Sequence, residues 1–285
     1  MKYIIITPAK DEEKYIKYTL ESVCGQTLKP YKWIIVDDGS LDNTAAVVKE
    51  FQNRYSWISF VEKRNTMARK LSGPKVIRAF NYGYNTLTID DYEFMVKLDA
   101  DLILPNDYFE KVSNAFQENS KIGLCGGYLV TKKNGKLIKE RAAENHIRGA
   151  FKAYRNKCFE EIGGLKPILG WDALDEMTAN YLGWEIKQLP LQVIHLRETR
   201  RDYEPLLHRF HSGMVYFRMG YGVFLTLLKS LFWVCRKPYI IGGISFIVGF
   251  VTSFIRGDRK IGDKDLRKFF RGFKYDRILQ FLHLK

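Results

Sequence analysis

Phe94-Met-Val-Lys-Leu-Asp99-Ala-Asp101 is a short apolar run closed by two carboxylates one residue apart. Side chains alternate with period two along an extended chain, so Asp99 and Asp101 point to the same side if the strand continues through them. Two hard oxygen ligands converging at the C-terminal end of a strand can hold Mn²⁺ or Mg²⁺ against a phosphate. Taken alone, the same spacing also suits a solvated turn. The residues upstream decide between the two.

Upstream, one unit repeats. Tyr3-Ile-Ile-Ile-Thr7 reads as a buried strand, and from Glu12 to Cys24 the residues Ile16, Leu20 and Val23 fall at helical spacing. Acids at the start of that segment suit a helix dipole. Trp33-Ile-Ile-Val36 is a second strand, broken by Asp37-Asp38-Gly39-Ser40. A helix follows from about Asp42, then a strand at Trp57–Val61, a helix after Pro74, and the strand Phe94–Leu98 that delivers Asp99. Such alternation predicts an α/β fold with a mainly parallel sheet and helices on both faces. Ligands bind outside the C-terminal strand ends of these sheets. Pro8 to Asp11, Asp37 to Ser40 and Asp99 to Asp101 are therefore expected to share one crevice.

Thr7-Pro-Ala-Lys-Asp-Glu-Glu13, Leu20-Glu-Ser-Val-Cys-Gly-Gln-Thr27, Val36-Asp-Asp-Gly-Ser-Leu-Asp-Asn-Thr44 and Leu98-Asp-Ala-Asp101 stand in that order along the chain. Together they resemble the family 2 glycosyltransferases, an inverting family with the GT-A nucleotide-diphospho-sugar transferase fold. The resemblance covers residues 1–200, with a nucleotide-sugar half to about residue 101 and an acceptor half from 102. It implies that Pro8, Ala9, Glu12 and Asp38 line the nucleotide pocket, with Asp38 accepting from the base. Lys75, six residues before Asn81, stands where the family often has a basic residue near the donor. Asp101 would be the direct metal ligand, and Asp99 would approach the ribose or sugar of the donor. The family usually has Asn where this chain has Asp11.

Inverting transfer needs one base to deprotonate the acceptor hydroxyl, without the close second carboxylate of a covalent mechanism. The candidate segment is Leu169-Gly-Trp171-Asp172-Ala-Leu-Asp175-Glu176. The family usually shows Glu-Asp about eleven residues before a Gly-aromatic pair. Counting back from Gly183-Trp184 reaches Asp172, with Trp171 in place of the Glu. Asp175 or Glu176, about one helical turn on, are the alternatives. Asp172 would also serve as a helix cap, a role compatible with catalysis. Further on, Gln192-Val-Ile-His195-Leu can return His195 towards the metal as a third ligand.

The charge lies mostly in the last third of the chain. Leu196 to Lys285 holds 18 Lys/Arg against 7 Asp/Glu, a net of +11 out of +14 for all 285 residues. There Tyr221 to Cys235 is apolar apart from Lys229, and Pro238 to Ile255 gives 18 residues without a charge. That length is the lower edge for a spanning helix, and basic residues on both sides give no orientation. Residues 201–285 are expected to form a basic, aromatic-rich helical region attached to anionic lipid, with a spanning or packed hairpin as the alternatives. From Lys264 onward, Leu266, Phe269, Phe270 and Phe273 form one side of a basic amphipathic helix. The four cysteines show no Cys-x-x-Cys spacing and read as small core residues in a reducing compartment. Met1-Lys2 leads directly into the first strand, so the catalytic half is expected on the cytoplasmic side of the membrane.

Other classes lack their residues. The first strand is followed by Pro8-Ala-Lys-Asp-Glu and not by Gly-x-Gly-x-x-Gly, which argues against a dinucleotide oxidoreductase. No Gly-x-x-x-x-Gly-Lys-Ser/Thr or His-Glu-x-x-His run is present. A basic tail alone would suit nucleic acid, but Asp37, Asp38, Asp99 and Asp101 in one crevice would repel its backbone. A scaffold that has lost its chemistry would not need carboxylates at both the metal and base positions. The expectation is a metal-dependent enzyme moving a sugar from a nucleotide-sugar, UDP favoured, to a lipid-linked or polysaccharide acceptor in cell-surface glycan synthesis.

Overall fold

The computed structural model describes residues 1–63, 73–133, 135–140, 146–197 and 205–281. The chain divides into two compact units, Met1–Thr199 and Arg200–Lys285.

The first unit opens with β1 (Tyr3–Ala9), α1 (Ile16–Cys24), β2 (Lys32–Asp37), α2 (Thr44–Arg54), β3 (Ile58–Glu62), α3 (Pro74–Asn85) and β4 (Phe94–Leu98). These elements are the repeat read from the sequence. β1 pairs in parallel with β2 and with β4, and β2 with β3. Ile4, Ile5, Ile6, Ile35, Val36, Met95 and Val96 are buried, as strands covered on both faces require. Each such side chain contributes about 1.5–3 kcal/mol by leaving water.

Beyond β4 the topology changes. The unit continues with β5 (Leu102–Ile103), α4 (Tyr108–Glu118), β6 (Ile122–Lys133), β7 (Lys136–Lys139), β8 (Phe151–Arg155), α5 (Asn156–Glu161), α6 (Trp171–Tyr181) and β9 (Glu185–His195). One sheet runs β3-β2-β1-β4-β8-β6-β9-β5, with β7 attached to β6. β4–β8, β6–β8, β6–β7 and β5–β9 are antiparallel, while β6–β9 is parallel. The sheet is therefore mixed, and the expectation of a mainly parallel sheet holds only for β1 to β4. After α4 the chain returns in β6, which runs in the same direction as β4, and β8 then inserts between the two antiparallel to both, Leu98 opposite Phe151.

Two local expectations also change. The first helix starts at Ile16, not Glu12, and has no acid in its first turn. Glu12 instead closes a turn, its carbonyl accepting from the amides of Tyr15 and Ile16 at 2.9 Å. Cys125 and Cys158 are buried, but Cys24 is half-buried and Cys235 exposed, so the cysteines are not all core residues.

The second unit is helical: α7 (Pro205–Arg218), α8 (Gly222–Val234), α9 (Ile241–Ile255) and α10 (Lys264–Phe281). α9 packs on α7, where Phe217 meets Phe250 and Phe254 with ring centroids 5.5 and 6.0 Å apart. In α10, Leu266 and Phe270 are buried. Among the described residues no helix is long and apolar enough to cross a membrane.

Candidate active site

Three strand ends build a cleft of about 200 Å³, lined by Pro8, Lys10, Glu12, Val76, Asp99, Ala100, Asp101 and Arg197. It lies where the parallel part of the sheet ends, the position at which such sheets bind ligands. The structure thus brings Pro8, Glu12, Asp99 and Asp101 together. Ala9 is buried beneath, its carbonyl accepting from the amide of Asp38 at 2.9 Å. Asp38 is buried and forms an ion pair with Lys63 at 2.6 Å, while Lys10 donates to the Asp38 carbonyl at 3.1 Å. Lys75 is in the first turn of α3, half-buried, beside the lining residue Val76.

Asp11 has φ 53°, in the left-handed region. Asn and Asp enter that region more readily than other non-glycine side chains, so an Asp suits this turn. Its carboxylate accepts from the amide of Leu41 at 2.8 Å, and its amide donates to Ser40 Oγ at 2.9 Å. Asp11 therefore ties the β1 and β2 loops together and does not line the cleft among the described residues.

Asp101 is the hub of the cleft. β9 pairs antiparallel with β5, setting His195 opposite Leu102. His195 Nε2 lies 3.2 Å from Asp101 Oδ2, and Arg197 Nε donates to the same oxygen at 3.0 Å. The Arg197 guanidinium also bonds Glu12 and lies 5.3 Å from the Tyr15 ring. Burial disfavours the Asp101 carboxylate, but His195 and Arg197 outweigh it and hold its pKa below the usual range. Burial likewise opposes the His195 imidazolium, yet the hydrogen bond to Asp101 and the nearby carboxylate of Glu140, 3.8 Å from Nδ1, raise it to about 9. Glu12 is pushed up to about 7 by burial and then by the charge of Asp101. For Asp99, burial raises the carboxyl against the opposing charge of Lys97, with which it forms an ion pair.

Carboxylates with an imidazole are a donor set suited to Mn²⁺ and less to Mg²⁺. Asp101 and His195 already face each other, so the residues fit such an ion. Among the described residues no three His, Cys, Asp or Glu side chains are arranged around one point. Protein cations hold the oxygens of both carboxylates, Arg197 at Asp101 and Lys97 at Asp99.

The base candidates separate by burial. Asp175 accepts from Lys152 Nζ at 3.0 Å and from the Tyr154 hydroxyl at 2.5 Å. Glu176 pairs with Lys152 at 3.0 Å and shares a 2.7 Å hydrogen bond with His146 Nδ1. Burial, with Lys152 opposing, raises Asp175 to about 6. The side chains of Asp175 and Glu176 are 3% and 10% exposed, whereas that of Asp172 is 32% exposed and 3.8 Å from His146 Nε2. The helix cap belongs to Gly170, with no side-chain cap bond, so Asp172 is not the cap.

Trp171 joins the two halves. Lys97 and Lys152 are direct cross-strand neighbours on β4 and β8, both buried. The Trp171 ring lies 5.3 Å from Lys97 Nζ and 5.8 Å from Lys152 Nζ. Asp172 is therefore one residue from a ring touching the partner of Asp99. Gly149 permits this approach, since a Cβ there would come within 2.5 Å of the Trp171 ring. Sequence reasoning missed Lys63, Lys97, His146, Lys152 and Arg197. A lysine inside the apolar run Phe94–Leu98 was a visible signal, as was an Arg two residues beyond His195.

Comparison with known proteins agrees with this fold. The model of the family "Glycosyl transferase family 2" matches residues 4–167. An uncharacterized glycosyltransferase of Mycoplasma genitalium is 34% identical over 181 residues, covering 59% of this chain and 57% of that protein. The poly-beta-1,6-N-acetyl-D-glucosamine synthase of Staphylococcus epidermidis is 24% identical over 215 residues, covering 68% and 46%. The chain thus spans about half the length of these relatives. Among solved structures, S. aureus TarS 1-349 in complex with UDP-GlcNAc has a TM-score of 0.56 at 16% identity, covering 90% of this chain and 73% of that one. The mannosyltransferase PcManGT from Pyrobaculum calidifontis, in complex with GDP-Man and Mn²⁺, has a TM-score of 0.54 at 14% identity, covering 97% and 80%. These likenesses show a GT-A-like α/β fold. With more than half of its length matched by the family model, the chain belongs to glycosyl transferase family 2.

Proposed function

We propose that the protein is an inverting glycosyltransferase that moves a hexosyl group from a nucleotide-sugar, a UDP-sugar by preference, to a lipid-linked or growing polysaccharide acceptor. The observation that carries this reading is the convergence of Glu12, Asp99, Asp101 and Arg197 in one cleft at the ends of β1, β4 and β9. The relatives add support: one is named as a poly-N-acetylglucosamine synthase, and TarS was solved with UDP-GlcNAc.

The nucleoside would lie towards the β1 and β2 ends, with Asp38 held for the base by Lys63. The diphosphate would lie over Asp101, where the guanidinium of Arg197 is already placed. Asp101 and His195, with Asp99, would hold Mn²⁺ or Mg²⁺, which supplies Lewis-acid stabilisation of the leaving diphosphate. For such an ion to bind, His195 would have to give up its proton to solvent and Arg197 would have to release Asp101, which would free its guanidinium for the diphosphate oxygens. Asp172 takes the proton of the acceptor hydroxyl, because it alone of the three candidate carboxylates keeps an open face. Lys152 orients it from below, donating to the Asp172 carbonyl at 2.7 Å.

A panel of nucleotide-sugars, scored for release of the nucleoside diphosphate with and without chelator, tests the reading. One donor is expected to be turned over, with Mn²⁺ or Mg²⁺ required and Asp101→Ala inactive. Full turnover in excess chelator would remove the metal from the mechanism, and no turnover of any donor would remove the donor assignment.

A further inference from the structure

We propose that the outer faces of α8 and α9 dock on an anionic lipid bilayer, with both helices lying in the plane of a single leaflet. The helices carry their residues inside out. A helix of a water-exposed unit buries its large apolar side chains and turns polar ones outward. In α9 the inward face is Gly242, Gly243, Gly249 and Ser253 around the single large residue Phe246. The outward stripe is Ile241, Ile244, Val248, Val251 and Ile255, each between 42% and 76% exposed. α8 repeats the pattern, with Thr226 and Ser230 inward beside the single large residue Leu225, and Val223, Phe224, Leu227 and Leu231 outward, the last four between 54% and 65% exposed.

Small residues at the helix contacts with large apolar residues outside is the distribution of helices in lipid. Backbone contact enforces it: a Cβ on Gly213 of α7 would come within 1.9 Å of the Phe246 carbonyl oxygen. One on Gly249 would come as close to the carbonyl oxygen of Phe210. The glycines cannot be exchanged for large core residues without separating α7 from α9. The apolar mass of the unit is therefore left on its surface, well beyond the scattered exposed residues that need no explanation.

The charges around the faces select the occupant. From Gly222 to Lys260 there are Lys229, Arg236, Lys237, Arg256, Arg259 and Lys260 against a single acid, Asp258. A second copy docked by two-fold symmetry would set these cations against their own images. Anionic head groups would complement them. The cations also sit on aromatic rings, an arrangement suited to the head-group level. Lys229 Nζ is 4.3 Å from the Phe232 centroid, and the Arg236 guanidinium is 4.1 Å from the same ring. Depth follows from length. α8 and α9 have 13 and 15 residues, so each reaches only about 20 Å, against a hydrocarbon core of about 30 Å. Arg236 and Lys237 occupy the turn between them, which disfavours insertion tip first.

The test uses the full chain and sedimentation with vesicles of phosphatidylcholine, with and without phosphatidylglycerol, and does not depend on the proposed enzymatic reading. Binding is expected to be stronger with phosphatidylglycerol and to weaken in high salt without vanishing. The pairs Ile244→Glu/Val248→Glu and Leu227→Glu/Leu231→Glu, at exposed positions, are expected to lose about tenfold or more in partitioning with unchanged circular dichroism, since charges oppose lipid burial. Arg236→Gln/Lys237→Gln is expected to lose only the preference for phosphatidylglycerol. Bound chain should be released by alkaline carbonate. A wild-type chain that ignores both vesicles, or face variants that bind as well as wild type, would overturn the proposal. So would resistance to carbonate, or a dimer in light scattering that the face variants abolish, which would make a second copy the occupant.

Discussion

Asp172 and Asp175 are chemically identical and three residues apart, yet their surroundings give them different work. Asp175 is enclosed by Lys152 and Tyr154, with no face left for an acceptor. Asp172 presents a third of its side chain to solvent. Replacing Asp172 by Asn is therefore expected to lower turnover by about 10²–10⁴, the usual worth of general base catalysis, with donor affinity measured by calorimetry nearly unchanged. Turnover near wild type in Asp172→Asn would return the role to another group. Arg197 invites a second substitution. Its guanidinium occupies the Asp101 oxygen on which a divalent ion would depend. Arg197→Met should raise Mn²⁺ affinity in the absence of nucleotide by about tenfold, read by electron paramagnetic resonance, because a competing positive charge has gone. Weaker Mn²⁺ binding would mean that Arg197 supports the ion and does not compete with it.

The N-terminal turn of α6 is held by two features of its neighbours. Beneath it Lys152, fully buried, compensates both Asp175 and Glu176. Lys152→Met leaves two buried carboxylates without their cation, and urea unfolding should show a loss of about 3–5 kcal/mol. Lys152→Met/Asp175→Leu, which removes one of the unpaired charges as well, should recover part of that loss. Beside the helix, Gly149 lets the Trp171 ring approach the chain of the β8 entry. Gly149→Ala requires the ring or the helix to shift by several tenths of an ångström, and should lower turnover more than it lowers thermal stability. An unaltered rate with normal Trp fluorescence would show that the position of Trp171 is not critical.

For the whole molecule, the chain divides at Thr199, and among the described residues those lining the cleft all precede it. A polypeptide of residues 1–199 is expected to bind the nucleoside diphosphate-sugar with the affinity of the full chain, measured by calorimetry. A loss beyond about tenfold would mean that the second unit takes part in donor binding. What could be read in the chain and what could not divides along physical lines. Local periodicity and turn chemistry sufficed for β1 to β4, for the meeting of Pro8 with Asp99 and Asp101, and for the presence of α6, because each depends on residues close in sequence. Glu12 was legible only through the family resemblance. The uncharged run from Pro238 was legible too, but not the inverted faces of the helix within it, since a helix pattern does not say which stripe a neighbour will cover. The antiparallel return of β8 and the cross-strand meeting of Lys97 with Lys152 were decided only by tertiary structure. So were the reach of Arg197 to Asp101 and Glu12 and the burial that separates Asp175 from Asp172. Each of these joins or encloses groups from segments far apart in the chain, and no spacing within one segment encodes the charge that will be placed across from it.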